Sequence, residues 1–344
     1  MRKDLTRNRL GVATGTVAIA ALSLGLAACA GTGASATGKQ SVNVVGFSVL
    51  KSANAAVIKD FQSTAQGNDV TFTQSYDASG AQSRAVLAGL PADEVHLSLE
   101  PDVAKLVDAG IVPATWNSGA NKGIVTQSVV VLVVRKGNPK HITGWNDLIK
   151  PGIKIVTPNP GSSGSAKWNI LAAYGSQIAA GRTAAQAQTY LKSFVKNVAT
   201  WPDSGSKATA AFIGGTGDVL ISYENEAIAA RRAGDAVDYI VPSSTLLIQN
   251  PGAVTKSAPQ AAKDFLAFQL SAEGQKDYAT YGFRPLTPEP GIQVKGAENP
   301  SDPFPTPAKL LTIDKDFGGW KAANKLFFGD TGLVTKLVAA AGTA

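Results

Sequence analysis

Small polar residues stand at three places where an apolar run gives way to a helical pattern: Ser79-Gly80 after DVTFTQSYDA, Ser163-Gly164 after KIVTPNPG, and Asp203-Ser204-Gly205-Ser206. A helix N-terminus carries unpaired backbone N–H groups and a partial positive charge, so it attracts anions. In open α/β sheets ligands gather beyond the carboxyl ends of strands, where such termini lie. Three of them converging would make an anion trap. Each taken singly is more often an ordinary N-cap, because Ser and Asp cap helices routinely.

Residues for catalysis are fewer. His96 falls in a predicted strand and His141 in a loop after Pro139, neither with a companion cysteine or acidic motif, so a structural or surface role is the default for both. The run Gly161-Ser162-Ser163-Gly164-Ser165 misses the GxSxG elbow, because Ser165 stands where Gly is required. A secreted serine hydrolase using Ser163 would have only a mobile His to call upon. Gly33 to Lys39 has the spacing GxxxxGK, but Gln40 replaces the Ser or Thr of a phosphate loop and no strand precedes it. No CxxC, HExxH or EF-hand pattern occurs, so neither a metal nor a cofactor has support in the sequence.

The elements that must position these residues follow an α/β pattern. SVNVVGFSV, a helix over about 54–65, DVTFTQSY, a helix over about 79–90, EVHLSL and PDVAKLVDAG read as strand and helix in alternation. Alternation of this kind gives a mainly parallel sheet with helices on its faces. Val129 to Val134 form a continuous apolar strand suited to a sheet covered on both sides. A second set starts near Ile142: KIVTP, helices over about 164–180 and 183–198, GDVLIS, and a helix to about Gly234. Strands follow over 237–254, then one amphipathic helix over about 259–281. The expected architecture is two α/β lobes enclosing a cleft, with a hinge where Thr126 to Lys136 and Leu246 to Val254 cross.

Of the net charge of +7 on 344 residues, the first nine residues supply +3 through Arg2, Lys3, Arg7 and Arg9 against Asp4. The rest is scattered among acids, which gives nucleic-acid binding little support. After that basic start come an apolar segment from Leu10 to Leu26 and then Ala27-Ala28-Cys29. The segment is punctuated by Gly and Thr, short for a hydrocarbon core of ~30 Å, and ends in small residues, which reads as an export signal. Leu26-Ala27-Ala28-Cys29 resembles the bacterial lipobox, and Cys29, the only cysteine, is the expected lipidation site. The small polar stretch AGTGASATGKQ behind it is a flexible tether.

SVVVLVVRKGNPKHITGWNDLIKPGIKIVTPNPGSSGSAKWN, over 128–169, closely resembles periplasmic sulfate- and thiosulfate-binding proteins of ABC importers. So do GDVLISYENEA, SAEGQKDYATYGFRP and LTIDKDFGGW, in the same order along the chain from about Val44 to Trp320. The resemblance implies a two-lobed periplasmic-binding-protein fold of type II: two mainly parallel sheets with helices on both faces and a hinge of two crossing strands. It implies lobe 1 over 41–130 and 246–300, lobe 2 over 131–245, and a C-terminal helical extension over 301–344, after a signal peptide over 1–28 and a tether over 29–40. It also implies an exported, lipid-anchored monomer on the outer face of the cell membrane, serving a permease and its ATPase subunits.

Position by position, the resemblance implies anion donors at Ser48, Ser79, Ser163, Gly164, Ser165, Ser206 and Tyr223. Ser165 replaces a family Gly, and Tyr223 replaces a family Trp whose indole N–H donates to the anion. Sulfate near neutral pH only accepts hydrogen bonds, so a dry pocket lined by donors fits it, whereas hydrogen phosphate leaves an unpaired contact that costs about 1–3 kcal/mol. Asp77, two residues before Ser79, would favour phosphate if turned inward; otherwise it is a turn acid facing solvent. Thiosulfate, phosphate and molybdate are the alternative ligands. A scaffold lipoprotein with no small ligand is an alternative of another class.

Overall fold

The computed structural model describes residues 40–342; the export signal, Cys29 and nearly all of the tether lie outside them. The chain opens with β1 (Gln40–Phe47), a 3₁₀ turn (Ser48–Leu50), α1 (Lys51–Phe61), β2 (Val70–Asp77), α2 (Ser79–Leu87), β3 (Glu94–His96) and α3 (Glu100–Asp108). After β4 (Ile124–Arg135) come β5 (Ile155–Val156), α4 (Gly164–Ala179), α5 (Ala184–Lys196), β6 (Val198–Thr200), α6 (Gly205–Ile213), β7 (Val219–Tyr223) and α7 (Glu224–Ala233). β8 (Val237–Ile240), β9 (Ser244–Val254), α8 (Gln260–Gln269), α9 (Ala272–Thr280) and β10 (Lys309–Leu311) follow, then α10 (Ile313–Phe317), α11 (Gly319–Ala323) and α12 (Leu333–Ala340).

The strands run in the order β2-β1-β3-β9-β4-β7-β5-β6. β1 pairs in parallel with β2 and β3 at one end, and β5 pairs in parallel with β6 and β7 at the other. Between these sets lie β4 and β9, antiparallel to each other over 124–129 and 247–251. β3 joins β9, and β7 joins β4, also antiparallel, so the two long strands carry one set each. This is a two-lobed α/β fold with its halves linked through β4 and β9.

Alternation along β4 explains why both of its faces are apolar. Val130, Leu132 and Val134 enter one core, with Trp168 and Ile221, while Val129, Val131 and Val133 enter another, with Phe212 and Leu220. Successive side chains point to opposite faces, and each fully buried aliphatic side chain contributes about 1.5–3 kcal/mol. A single polar residue anywhere over 129–134 would open one of these cores.

Several expected boundaries shift. The helix expected over 259–281 is two helices, because Ser271 accepts from the Gly274 N–H at 3.2 Å and restarts the chain as α9. A Cβ on Gly274 would lie 2.2 Å from the Phe268 carbonyl oxygen, so this corner requires Gly. Val198 leaves the expected α5 and joins β6, whose partner is β5. The C-terminal region is not purely helical: β10 pairs with β9 over 309–311. Its helices cover α4, with Trp320 edge-on to Trp168 at 4.7 Å and Phe327 on Tyr174 at 4.8 Å. Among the described residues, no helix is long and apolar enough to cross a membrane.

Candidate functional site

All seven expected donor positions converge between the two strand sets. The 3₁₀ turn after β1 presents Ser48, whose Oγ lies 3.5 Å from the Ser206 N–H at the start of α6. Next to it, a Cβ on Gly205 would sit 3.0 Å from Val49 and 3.2 Å from Ser165 Oγ. α2 starts at Ser79, and a Cβ on Gly80 would meet the Ser162 carbonyl oxygen at 2.9 Å. The first residue of α4, Gly164, lies against Ser98, where an added Cβ would be 2.7 Å from Ser98 Oγ. Tyr223 closes β7 from beneath, wholly buried, with its hydroxyl 2.7 Å from Ser98 Oγ.

Three helix N-termini, those of α2, α4 and α6, thus meet at one place. Only α6 is capped by a side chain: Ser204 Oγ accepts from the Lys207 N–H at 3.3 Å. Ser163 occupies the N-cap of α4, a residue suited to capping, yet its hydroxyl accepts nothing from the first turn. Ser165 Oγ is buried without a hydrogen-bond partner. A buried helix start with uncapped N–H groups and an unpaired hydroxyl costs free energy unless an acceptor joins it, and an anion supplies that acceptor.

Ser79 behaves differently from its neighbours. Its hydroxyl donates to Asp102 Oδ2 at 2.7 Å and accepts from the Ser98 N–H at 3.0 Å, and all three residues are buried. Donation from Ser79 to an anion therefore requires that its proton leave Asp102. Lys105 pairs with the other Asp102 oxygen at 2.9 Å and offsets the negative charge there. Asp77, in contrast, is exposed and accepts from the Ala78 N–H at 2.7 Å, a turn acid outside the cleft.

Neither Lys167 nor Lys207, the lysines beside the Ser163 and Ser206 loops, turns toward the donors. Lys167 turns to Asn324 Oδ1 at 3.3 Å and lies over the Phe328 ring, where burial lowers its pKa. Lys207 pairs with Asp203 at 3.2 Å on the surface. A second acid beside the site is Glu226, whose Oε2 accepts from Thr209 and Ser222 at 2.8 and 2.9 Å while burial pushes its carboxyl up to about 7. Burial also raises the Tyr223 hydroxyl well above its ordinary value, so it remains a neutral O–H. His96 bonds Thr126 Oγ1 at 3.2 Å and is pushed down to about 3 by burial, a neutral ring packed on Phe47 and Tyr278. Among the described residues, no imidazole hydrogen-bonds Ser163, and no group of acids and histidines is placed to hold a metal.

Four residues of this centre lie outside the expected set: Ser98, Asp102, Trp168 and Asn250. The Ser98 carbonyl oxygen accepts from Trp168 Nε1 at 3.0 Å and from Asn250 Nδ2 at 3.1 Å. Ser98 lies just beyond the end of β3, the same kind of position that marked Ser79 and Ser163, so strand-end reasoning would have found it had β3 been ended at His96.

A two-lobed α/β body with helix starts aimed into its cleft is the build of a solute-binding protein, and the chain belongs to the bacterial extracellular solute-binding protein family, whose profile matches residues 42–284. Within that family it is similar to the sulfate-binding protein of Synechococcus elongatus, 38% identical over 326 residues that cover 91% of each chain. It is also similar to the thiosulfate-binding protein of Escherichia coli, 35% identical over 286 residues, 80% of this chain and 82% of that one. Among solved structures, the sulfate-binding protein SubI from Mycobacterium tuberculosis superposes with a TM-score of 0.78 at 46% identity, covering 84% of this chain and 99% of the other. A periplasmic thiamin binding protein shares the fold at 17% identity and a TM-score of 0.65.

Proposed function

We propose that this protein is the sulfate receptor of an ABC importer, capturing the dianion between its lobes and delivering it to a permease driven by separate ATPase subunits. The observation that carries the reading is the uncapped, buried start of α4, with Ser163, Gly164 and the unpartnered Ser165 hydroxyl facing the starts of α2 and α6. Neutral donors suffice, since hydrogen bonds to a charged group are worth about 1.5–3 kcal/mol each. Donors come from both strand sets, so the anion favours the conformation in which the sets approach. The lobes take the division given above, 41–130 with 246–300 against 131–245. Cys29 anchors the monomer to the outer face of the membrane, and the site binds rather than hydrolyses.

Calorimetric titration with sulfate, thiosulfate, hydrogen phosphate and molybdate tests this assignment. Sulfate should bind most tightly, and Ser163→Ala and Ser165→Ala should each weaken it. Unchanged sulfate affinity in both variants rejects the donor set, and preference for another anion reassigns the ligand. Cys29→Ala should leave affinity intact and move the protein from the membrane to the soluble fraction.

A further inference from the structure

Tyr223 poses a chemical problem for a site that must only donate. An indole N–H donates and nothing more, but a phenol oxygen also accepts, so a Tyr alone would welcome the proton of a protonated oxyanion. We infer that Ser98 solves this problem: it is a specificity-determining residue that fills the acceptor capacity of the Tyr223 oxygen and leaves Tyr223 able only to donate. The inference rests on the sulfate reading above.

The geometry supports it at each atom. Ser98 Oγ lies 2.7 Å from the Tyr223 hydroxyl oxygen, a full-strength O–H···O distance, and both residues are buried. The Ser98 backbone is held on both sides: its N–H is bonded to Ser79, and its carbonyl oxygen accepts from both Trp168 and Asn250. Its hydroxyl therefore stays within reach of one oxygen. With Ser98 donating into that oxygen, the Tyr223 proton is free for the ligand. Ser98 Oγ is pressed against Gly164, which places the pair at the N-terminus of α4, where the anion is held. Removing the Ser98 hydroxyl would uncover a lone pair on Tyr223 that can receive the hydrogen phosphate proton.

Sulfate and hydrogen phosphate at about pH 8 carry the same charge and differ chiefly in that proton, so their affinity ratio reads the effect directly. The experiment is a calorimetric cycle on the wild type, Ser98→Ala, Tyr223→Phe and the double variant, each titrated with both anions, with circular dichroism to check folding. Ser98→Ala should lower the sulfate-to-phosphate ratio by about tenfold or more, mainly by tightening phosphate. Tyr223→Phe should lower the ratio by weakening sulfate, and Ser98→Ala should add nothing in that background. A ratio unchanged in Ser98→Ala overturns the inference. So does an equal fall in the Tyr223→Phe background, because Ser98 would then act on the anion without Tyr223. A wild type that binds no sulfate overturns the functional reading itself, and the inference with it.

Discussion

Trp168 Nε1 donates to the Ser98 carbonyl oxygen at 3.0 Å, and this bond ties the helix that presents Ser163 and Gly164 to the turn that follows β3. One residue is on an element packed against β9 and β7, the other on the chain leaving the β1–β3 set. The bond therefore spans the two sets.

Trp168→Phe keeps an aromatic ring in the core and removes the donor. Losing a hydrogen bond that joins the two sets where the anion is held costs about 1 kcal/mol, so sulfate affinity should fall about three- to tenfold. Calorimetry checks the affinity, and small-angle scattering of the sulfate-saturated protein should show a larger radius than the wild type.

Gly164→Ala tests the close approach from the other side. The new methyl would stand 2.7 Å from Ser98 Oγ and 2.8 Å from Leu99 Cγ. Overpacking of this kind costs about 1–3 kcal/mol, and here the cost falls on the approached conformation, so affinity should drop about 5- to 100-fold. The thermal midpoint without sulfate should change little, since Ala is the better helix residue.

Glu226 links stability to pH. Its carboxyl is held up at about 7 in the folded protein by burial and titrates at about 4.3 when unfolded. The folded state therefore keeps a proton that the unfolded state has lost over this window. That contribution to stability is complete below the unfolded value and disappears as pH rises through about 7. Glu226→Gln, permanently neutral, should raise the melting temperature relative to wild type above pH ~7, with the difference closing toward pH ~4. Thermal denaturation across that range reads the slope.

Arg284 anchors the turn after α9 to the start of α7. Its Nε and Nη2 donate to Glu224 at 2.6 and 2.9 Å, and its Nη1 and Nη2 also donate to the carbonyl oxygens of Phe304 and Pro305. Glu224 is wholly buried, so Arg284→Ala strands its charge and should cost about 3–5 kcal/mol in urea denaturation. Adding Glu224→Gln should recover part of that loss.

Much of this molecule was readable from residue order. The strand and helix alternation placed the starts of α2 and α4 at Ser79 and Gly164, where the structure has them. Tyr223 and Ser48 came from resemblance, since nothing in local pattern marks either as a donor. Ser98 escaped because EVHLSL reads as one extended strand, whereas β3 stops at His96 and α3 starts at Glu100; Asp102, in the first turn of that helix, reads as an ordinary N-terminal acid. The Ser79–Asp102 bond spans 23 residues, and the Trp168–Ser98 bond spans 70. Pairings of that length depend on how the sheets are joined, which periodicity does not encode. The broken helix at Ser271 shows the reverse case, in which a local cap overrides an amphipathic period that continues across it.

The ladder between β4 and β9 keeps regular register over 126–129 and slips between Ile124 and Thr126, beside Gly123 in its left-handed backbone. A ribbon paired along its length resists shear but twists readily, and it gives first where its rungs are already irregular. A swing of one half against the other would therefore turn near that margin of the spine, and the far margin would travel most, as the fore-edge of a book does.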